Sequence, residues 1–255
     1  MITEETTVQD IVSVNPELAF IFERFNLYPA CIEKNLKEVS SKYDIEPGFL
    51  IKILKSFEGT IHVQDEFRDV PIQAIMDFLS RTHDYYLGKK LPEIEQSFYH
   101  LYLQYKDTHP LLILLSNFFI AYKKELTKHI QREEEILFPY IQFLIKARCE
   151  GFKSNELIEV MKSYSISTFI AEHNDMENDL AEVRKVIVDY SPAYSITPFP
   201  YRIFLIQLQL FENDLRKHAQ IEDEVLVPKA LHLENELLSE AQGRQSLLDN
   251  LIIYS

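Results

Sequence analysis

The chain has 255 residues, 46% of them hydrophobic and 26% charged, and a formal net charge of −14. That balance belongs to a globular protein with room for one large domain or two modest ones. The acidity argues against general affinity for nucleic acid or anionic membranes. Five glycines and an abundance of Leu, Ile, Glu and Lys favour helix over sheet.

The opening Met-Ile-Thr-Glu-Glu-Thr-Thr has early acids and no basic segment, so no secretory signal is expected. No apolar run approaches the roughly 18 residues needed to cross a bilayer. The two cysteines, Cys31 and Cys149, are too few for a disulfide framework or a cysteine-rich zinc site. A cytoplasmic location fits these features.

Residues 1–58 read as a small helical N-terminal unit. Thr7 and Asp10 resemble a capping box with the shorter acid, followed by Val8, Ile11 and Val12 and then Leu18, Phe20, Ile21, Phe22 and Phe25. After a turn at Asn26–Cys31, a helix is expected from near Asn35. Another is expected from Pro47, a residue suited to a first helical turn. Residues 59–71 carry Gly, Pro and two Asp and break the helical period, as a linker would. Residues 72–255 hold four long amphipathic stretches, roughly 72–106, 110–148, 154–189 and 199–241. Short connections between long helices predict an antiparallel up-down four-helix bundle, so the expected fold is all-α with a small helical unit in front. Pro92, Pro139 and Pro228 fall inside the stretches and should kink or locally unwind them.

The chemistry lies in a repeated segment. His129-Ile-Gln-Arg-Glu133 with Leu137-Phe138-Pro139 recurs as His218-Ala-Gln-Ile-Glu222 with Leu226-Val227-Pro228. Residues four apart share a helix face, so each copy aims an imidazole and a carboxylate at one spot. That ligand mix suits non-haem iron, with manganese and zinc as competitors. The remaining two helices offer one histidine each, His83 and His173. Four imidazoles and two carboxylates can hold two iron ions as an oxo- or hydroxo-bridged pair. A lone helical histidine is more often a surface or core residue than a ligand, and an i,i+4 pair also arises as a surface contact. The duplication with its flanking Leu and Pro outweighs both. The apolar residues beyond each Glu should keep bulk water away.

Glu125 and Asp214 stand one turn before His129 and His218, and Glu172 adjoins His173. Each could accept a proton from a ligand imidazole or line an ion path, or be an exposed carboxylate. His62, His100, His109 and His232 are read as solvated, without partners at helical spacing.

These motifs resemble the hemerythrin-like domain, and more closely the repair-of-iron-centres (RIC) di-iron proteins of bacteria. Arg81-Thr-His83-Asp84 with Leu91-Pro92 resembles that family's first bundle helix. Thr7-Val8 through Asn15-Pro16, Phe22-Glu-Arg-Phe25 and Cys31 resembles the small domain that precedes the bundle. The resemblance implies a protein that restores iron–sulfur clusters damaged by nitric oxide or oxidative stress. It also implies iron delivery to damaged iron–sulfur proteins as transient partners, nitric oxide or oxygen as small ligands, and Glu125 and Glu172 on an iron path. One departure is plain: Pro29-Ala-Cys31-Ile-Glu has a single cysteine where the family has adjacent ones, so a dithiol role for this segment is doubtful. Cys31 is then either a single working thiol or a packed turn residue.

Other functions stay open from sequence. One is oxygen or nitric oxide binding or sensing. Another is reduction of nitric oxide or peroxide, for which no electron donor is apparent. A third is a metal-free helical interaction protein. Homodimer formation through either part of the chain is also left open.

Overall fold

The computed structural model describes residues 2–43, 45–59, 62–108, 111–152, 154–172, 185 and 199–253. Among them the regular secondary structure is helical, apart from one isolated antiparallel bridge between Thr7 and Asn35. No helix among the described residues is long and apolar enough to cross a membrane.

The N-terminal unit comprises α1 (Val8–Val14), α2 (Ala19–Arg24), α3 (Leu36–Tyr43) and α4 (Pro47–Glu58). Local chemistry sets its ends. The Thr7 hydroxyl accepts from Asp10 N at 3.1 Å, but the Asp10 carboxylate takes the Thr7 hydroxyl proton, not the backbone N–H that a longer Glu reaches. Asn35 and Glu38 form the reciprocal box instead, with Glu38 N donating to Asn35 Oδ1 at 2.9 Å and Asn35 N to Glu38 Oε2 at 3.1 Å. Pro47 occupies the first turn of α4, and Gly59 ends it at φ +73°, where a side chain would strain the backbone. The segment read as a linker carries its own helical turn, α5 (Val63–Glu66), and buries Val63, Phe67 and Val70.

The bundle follows as α6 (Ile72–Tyr85) and α7 (Leu91–Tyr105), α8 (Leu111–Arg132) and α9 (Phe138–Glu150), α10 (Ser154–Ser163) and α11 (Ile166–Glu172), and α12 (Phe199–Ile221) and α13 (Val227–Ile253). The expected first, second and fourth long stretches are each interrupted by a five-residue π turn: Tyr86–Lys90, Glu133–Leu137 and Glu222–Leu226. In each, the N–H just after the turn bonds five residues back, as Phe138 N does to Glu133 O. Each turn ends two residues before a proline. Proline has no N–H and crowds the carbonyl four residues earlier, and the wider turn relieves that clash. The anticipated local unwinding is thus a π turn in one fixed register, present three times although the motif occurs only twice.

The third stretch differs from expectation. It is split at Tyr164-Ser165 rather than running on from 154 as one helix. Ser165 caps the new start, its Oγ accepting from Thr168 N at 3.1 Å, and the buried Glu234 carboxylate accepts Ile166 N at 3.1 Å. A Ser-Tyr-Ser run favours such caps over continuous helix.

Two apolar cores result. The lower one joins the N-terminal unit (Ile21, Phe22, Leu36, Leu50, Leu54) to Phe78, Leu137, Leu144, Leu226 and Leu237. The upper one packs Tyr86, Phe98, Leu112, Phe119, Phe204 and Phe211. Between them, from Leu79 to Tyr86, Ile130 to Leu137 and Leu215 to Leu226, lies the layer that carries the polar residues of the repeated motif.

Candidate metal centre

The π turns position this layer. Their first residues, Tyr86, Glu133 and Glu222, are all buried at the same depth. Carboxylates stand in two of the three places and a phenol in the third. His129 and His218 come one turn before their Glu, and His83 comes three residues before Tyr86.

The structure brings His83, His129, Glu133, His218 and Glu222 together. His129 Nε2 is 2.7 Å from Glu133 Oε1, and His83 Nε2 is 2.9 Å from Glu133 Oε2. His83 Nε2 also faces His218 Nε2 at 3.2 Å, and His218 Nε2 is 3.8 Å from Glu222 Oε2. Among the described residues two sets of three donor atoms converge, with each set's atoms within 4.8 Å of one another: His83, Glu133 and His218, and His129, Glu133 and Glu222. Glu133 belongs to both. His173 lies outside the described residues, as does the side chain of Glu172.

The surroundings suit a cation. Both Glu133 oxygens are wholly buried, and neither receives an aligned hydrogen bond. An unsatisfied buried carboxylate ringed by imidazole nitrogens is costly unless a cation joins them. The His83 ring is turned to offer a donor atom. A carboxylate can only accept, so His83 Nδ1 donates to Glu134 Oε1 at 2.7 Å, and Nε2 faces inward, where a bound cation would take the place of its proton. Ser80 Oγ steadies the same carboxylate at 3.2 Å. Phe138 stacks on the His83 ring at 5.7 Å, and Leu137, Leu226 and Val227 seal the floor, as the flanking motif implied.

Charge within the cluster is uneven. Burial opposes a proton on His83, but the Glu133 and Glu134 carboxylates outweigh it and raise the group to about 9. Burial would raise the Glu133 carboxyl, yet the His129 and His83 imidazoles hold it well below the usual carboxylate range. Burial, and then the charge of His83, push His218 well below the ordinary histidine value.

Of the neighbouring residues, Glu125 and Cys31 take the structural alternatives that the sequence left open, and Asp214 and His232 stand elsewhere than it suggested. Glu125 is exposed and pairs with Lys128 at 2.8 Å, which lowers its carboxyl. Asp214 is neither beside an imidazole proton nor exposed: it is buried against Arg24 of α2, whose Nη2 donates to both its oxygens. Cys31 is buried, with its Sγ 3.6 Å from Tyr43 Oη, a packed turn residue rather than an accessible thiol. His232 does have a partner at helical spacing, Glu236, at 3.4 Å on the surface. Sequence reasoning missed Glu134 and Arg24. Glu134 hides in a run of three acids, and the signal that could have found it is its place directly after Glu133 in a proline-terminated turn.

A helical bundle with imidazole and carboxylate pairs from its own repeats converging on one buried layer defines a cation-binding bundle of the hemerythrin type. The chain belongs to that family: residues 96–230 match the Hemerythrin HHE cation binding domain. Over 221 residues it is 25% identical to the iron-sulfur cluster repair protein YtfE of Yersinia pseudotuberculosis serotype O:1b (strain IP 31758), covering 86% of this chain and 93% of that one. The same name and coverage apply to a relative from Dickeya chrysanthemi (strain Ech1591), at 24% identity. The resemblance to the repair-of-iron-centres proteins is borne out by these matches.

Proposed function

We propose that the chain holds a pair of iron ions and supplies iron to iron–sulfur clusters damaged by nitric oxide or oxidants. The carrying observation is the two donor sets that share the buried Glu133, in a chain whose relatives are named for iron–sulfur cluster repair. His83, Glu133 and His218 would hold one ion, and His129, Glu133 and Glu222 the other. His173 would add a further imidazole. Iron bound there would supply a redox-active cation held by imidazole and carboxylate rather than thiolate.

The chain's own residues do the rest. Glu134 fixes the His83 tautomer. Phe138, Leu137 and Leu226 keep the floor dry. The His129 side chain keeps 19% of its surface accessible, against 3% for His83 and 7% for His218, so the layer is more open on its side. Iron carriage favours such a one-sided opening over a sealed cage.

The test is transfer to an acceptor. An enzyme whose [4Fe–4S] cluster has been damaged by nitric oxide is mixed anaerobically with the iron-loaded chain or with an equal amount of free ferrous iron, both with reductant. The expected result is faster cluster recovery with the chain. Equal or slower recovery contradicts delivery. A long-lived, reversible oxygen-bound spectrum without transfer identifies a carrier instead.

A further inference from the structure

Two imidazoles reach the same point of the layer from neighbouring elements, and they are held very differently. His83 Nδ1 donates to the Glu134 carboxylate. His218 Nδ1 is buried and has no hydrogen-bond acceptor. Asp214, one turn earlier on α12 and itself buried, is the carboxylate that shares a helix face with His218. Its carboxylate is engaged elsewhere, with both oxygens accepting from Arg24 Nη2.

Arg24 belongs to the N-terminal unit, and its side chain has no exposed surface. Its guanidinium carbon lies 4.9 Å from the ring centroid of Phe57, 5.5 Å from those of Phe78 and Tyr85, and 5.7 Å from that of Tyr86. Tyr86 in turn packs edge-on to His218 at 5.7 Å. Beside the pair, a cavity of about 280 Å³ opens between Phe20 and Phe57 on one side and Asn213, Asp214 and Lys217 on the other.

We infer that Arg24 is a positioning residue that keeps Asp214 from His218, making His218 the weakly held ligand and placing metal release under the control of the N-terminal unit. The inference rests on the metal-pair reading above. Two effects act in one direction. A carboxylate accepting from a ligand imidazole strengthens it as a donor, and such partners are worth about 10–100-fold in metal affinity. A buried guanidinium close by also disfavours a cation through the low-dielectric interior. Undocking of the N-terminal unit, or loss of Arg24 alone, would free the carboxylate to tighten His218. A merely structural ion pair predicts the opposite sign, because losing one partner strands a buried charge, loosens the core and speeds metal loss.

The experiment loads the full chain with ferrous iron anaerobically and follows iron loss to an excess of a coloured ferrous chelator. Arg24→Gln should slow the loss about 10-fold or more. Arg24→Lys, which keeps the charge pair, should match the parent, and Asp214→Asn should speed the loss. The double variant Arg24→Gln/Asp214→Asn should show no slowing, since the carboxylate is what the single change releases. Arg24→Gln losing iron as fast as the parent or faster, with native helix content, overturns the inference. Should that variant fail to fold, Asp214→Asn losing iron no faster than the parent overturns it by itself. A parent chain whose iron content is unaffected by His218→Ala would instead overturn the metal-pair reading.

Discussion

At the scale of single residues, the distinction that matters is between donors that converge and the groups that aim them. His129–Glu133 and His218–Glu222 are legible as candidate ligands because one helical turn separates each pair and the pair occurs twice. Glu134 is not legible that way. Side-chain spacing along one helix says nothing about His83, which is 51 positions away and meets Glu134 only through packing. Glu134→Gln tests its role: a neutral amide is a weaker acceptor and allows the other tautomer of His83. Chelator competition should show roughly 10-fold or greater loss of affinity while the amount of metal held at saturation stays unchanged. An unchanged affinity would remove Glu134 from the account.

At the scale of elements, three prolines set three π turns, and the turns set the depth of Tyr86, Glu133 and Glu222. The prolines were visible in the sequence as sources of irregularity. The form of the irregularity was not, because it depends on where the surplus carbonyl can go, which packing decides. The same holds for the third stretch: its apolar period runs through Tyr164-Ser165, but a carboxylate from α13, Glu234, takes the Ile166 N–H and ends the helix there. A proline inside a helix costs about 3 kcal/mol relative to alanine. Pro139→Ala should therefore raise the melting temperature of the metal-free chain, because the helix can close to regular α geometry. The same closure would rotate Glu133 away from the layer and weaken metal binding. A variant that gains stability and keeps full affinity would show that the turn is held by something other than the proline.

At the scale of the whole molecule, a polar layer separates two apolar cores, and the lower core includes the N-terminal unit. The all-α architecture and the helical order were legible from composition and period. The shared core was not, since nothing in a local pattern says that Arg24 crosses into the bundle to meet Asp214. A layer of buried, unsatisfied carboxylate and imidazole is a weak point when empty and a staple when filled. A ligand that binds only the folded state at 100 times its dissociation constant adds about 2.7 kcal/mol. Removing the metal with a chelator should lower the melting temperature by roughly 5–10 °C, as followed by circular dichroism. No shift on removal and reloading would mean that the layer is stable without an ion.

The central claim is that two metal ions share Glu133, and counting them tests it most directly. Elemental analysis of the anaerobically purified chain should find two iron ions per chain. Glu133→Leu should lose both, because the residue serves both donor sets, whereas Glu222→Leu should retain close to one. A parent chain carrying no metal, or a Glu133→Leu variant still carrying two, would contradict the account.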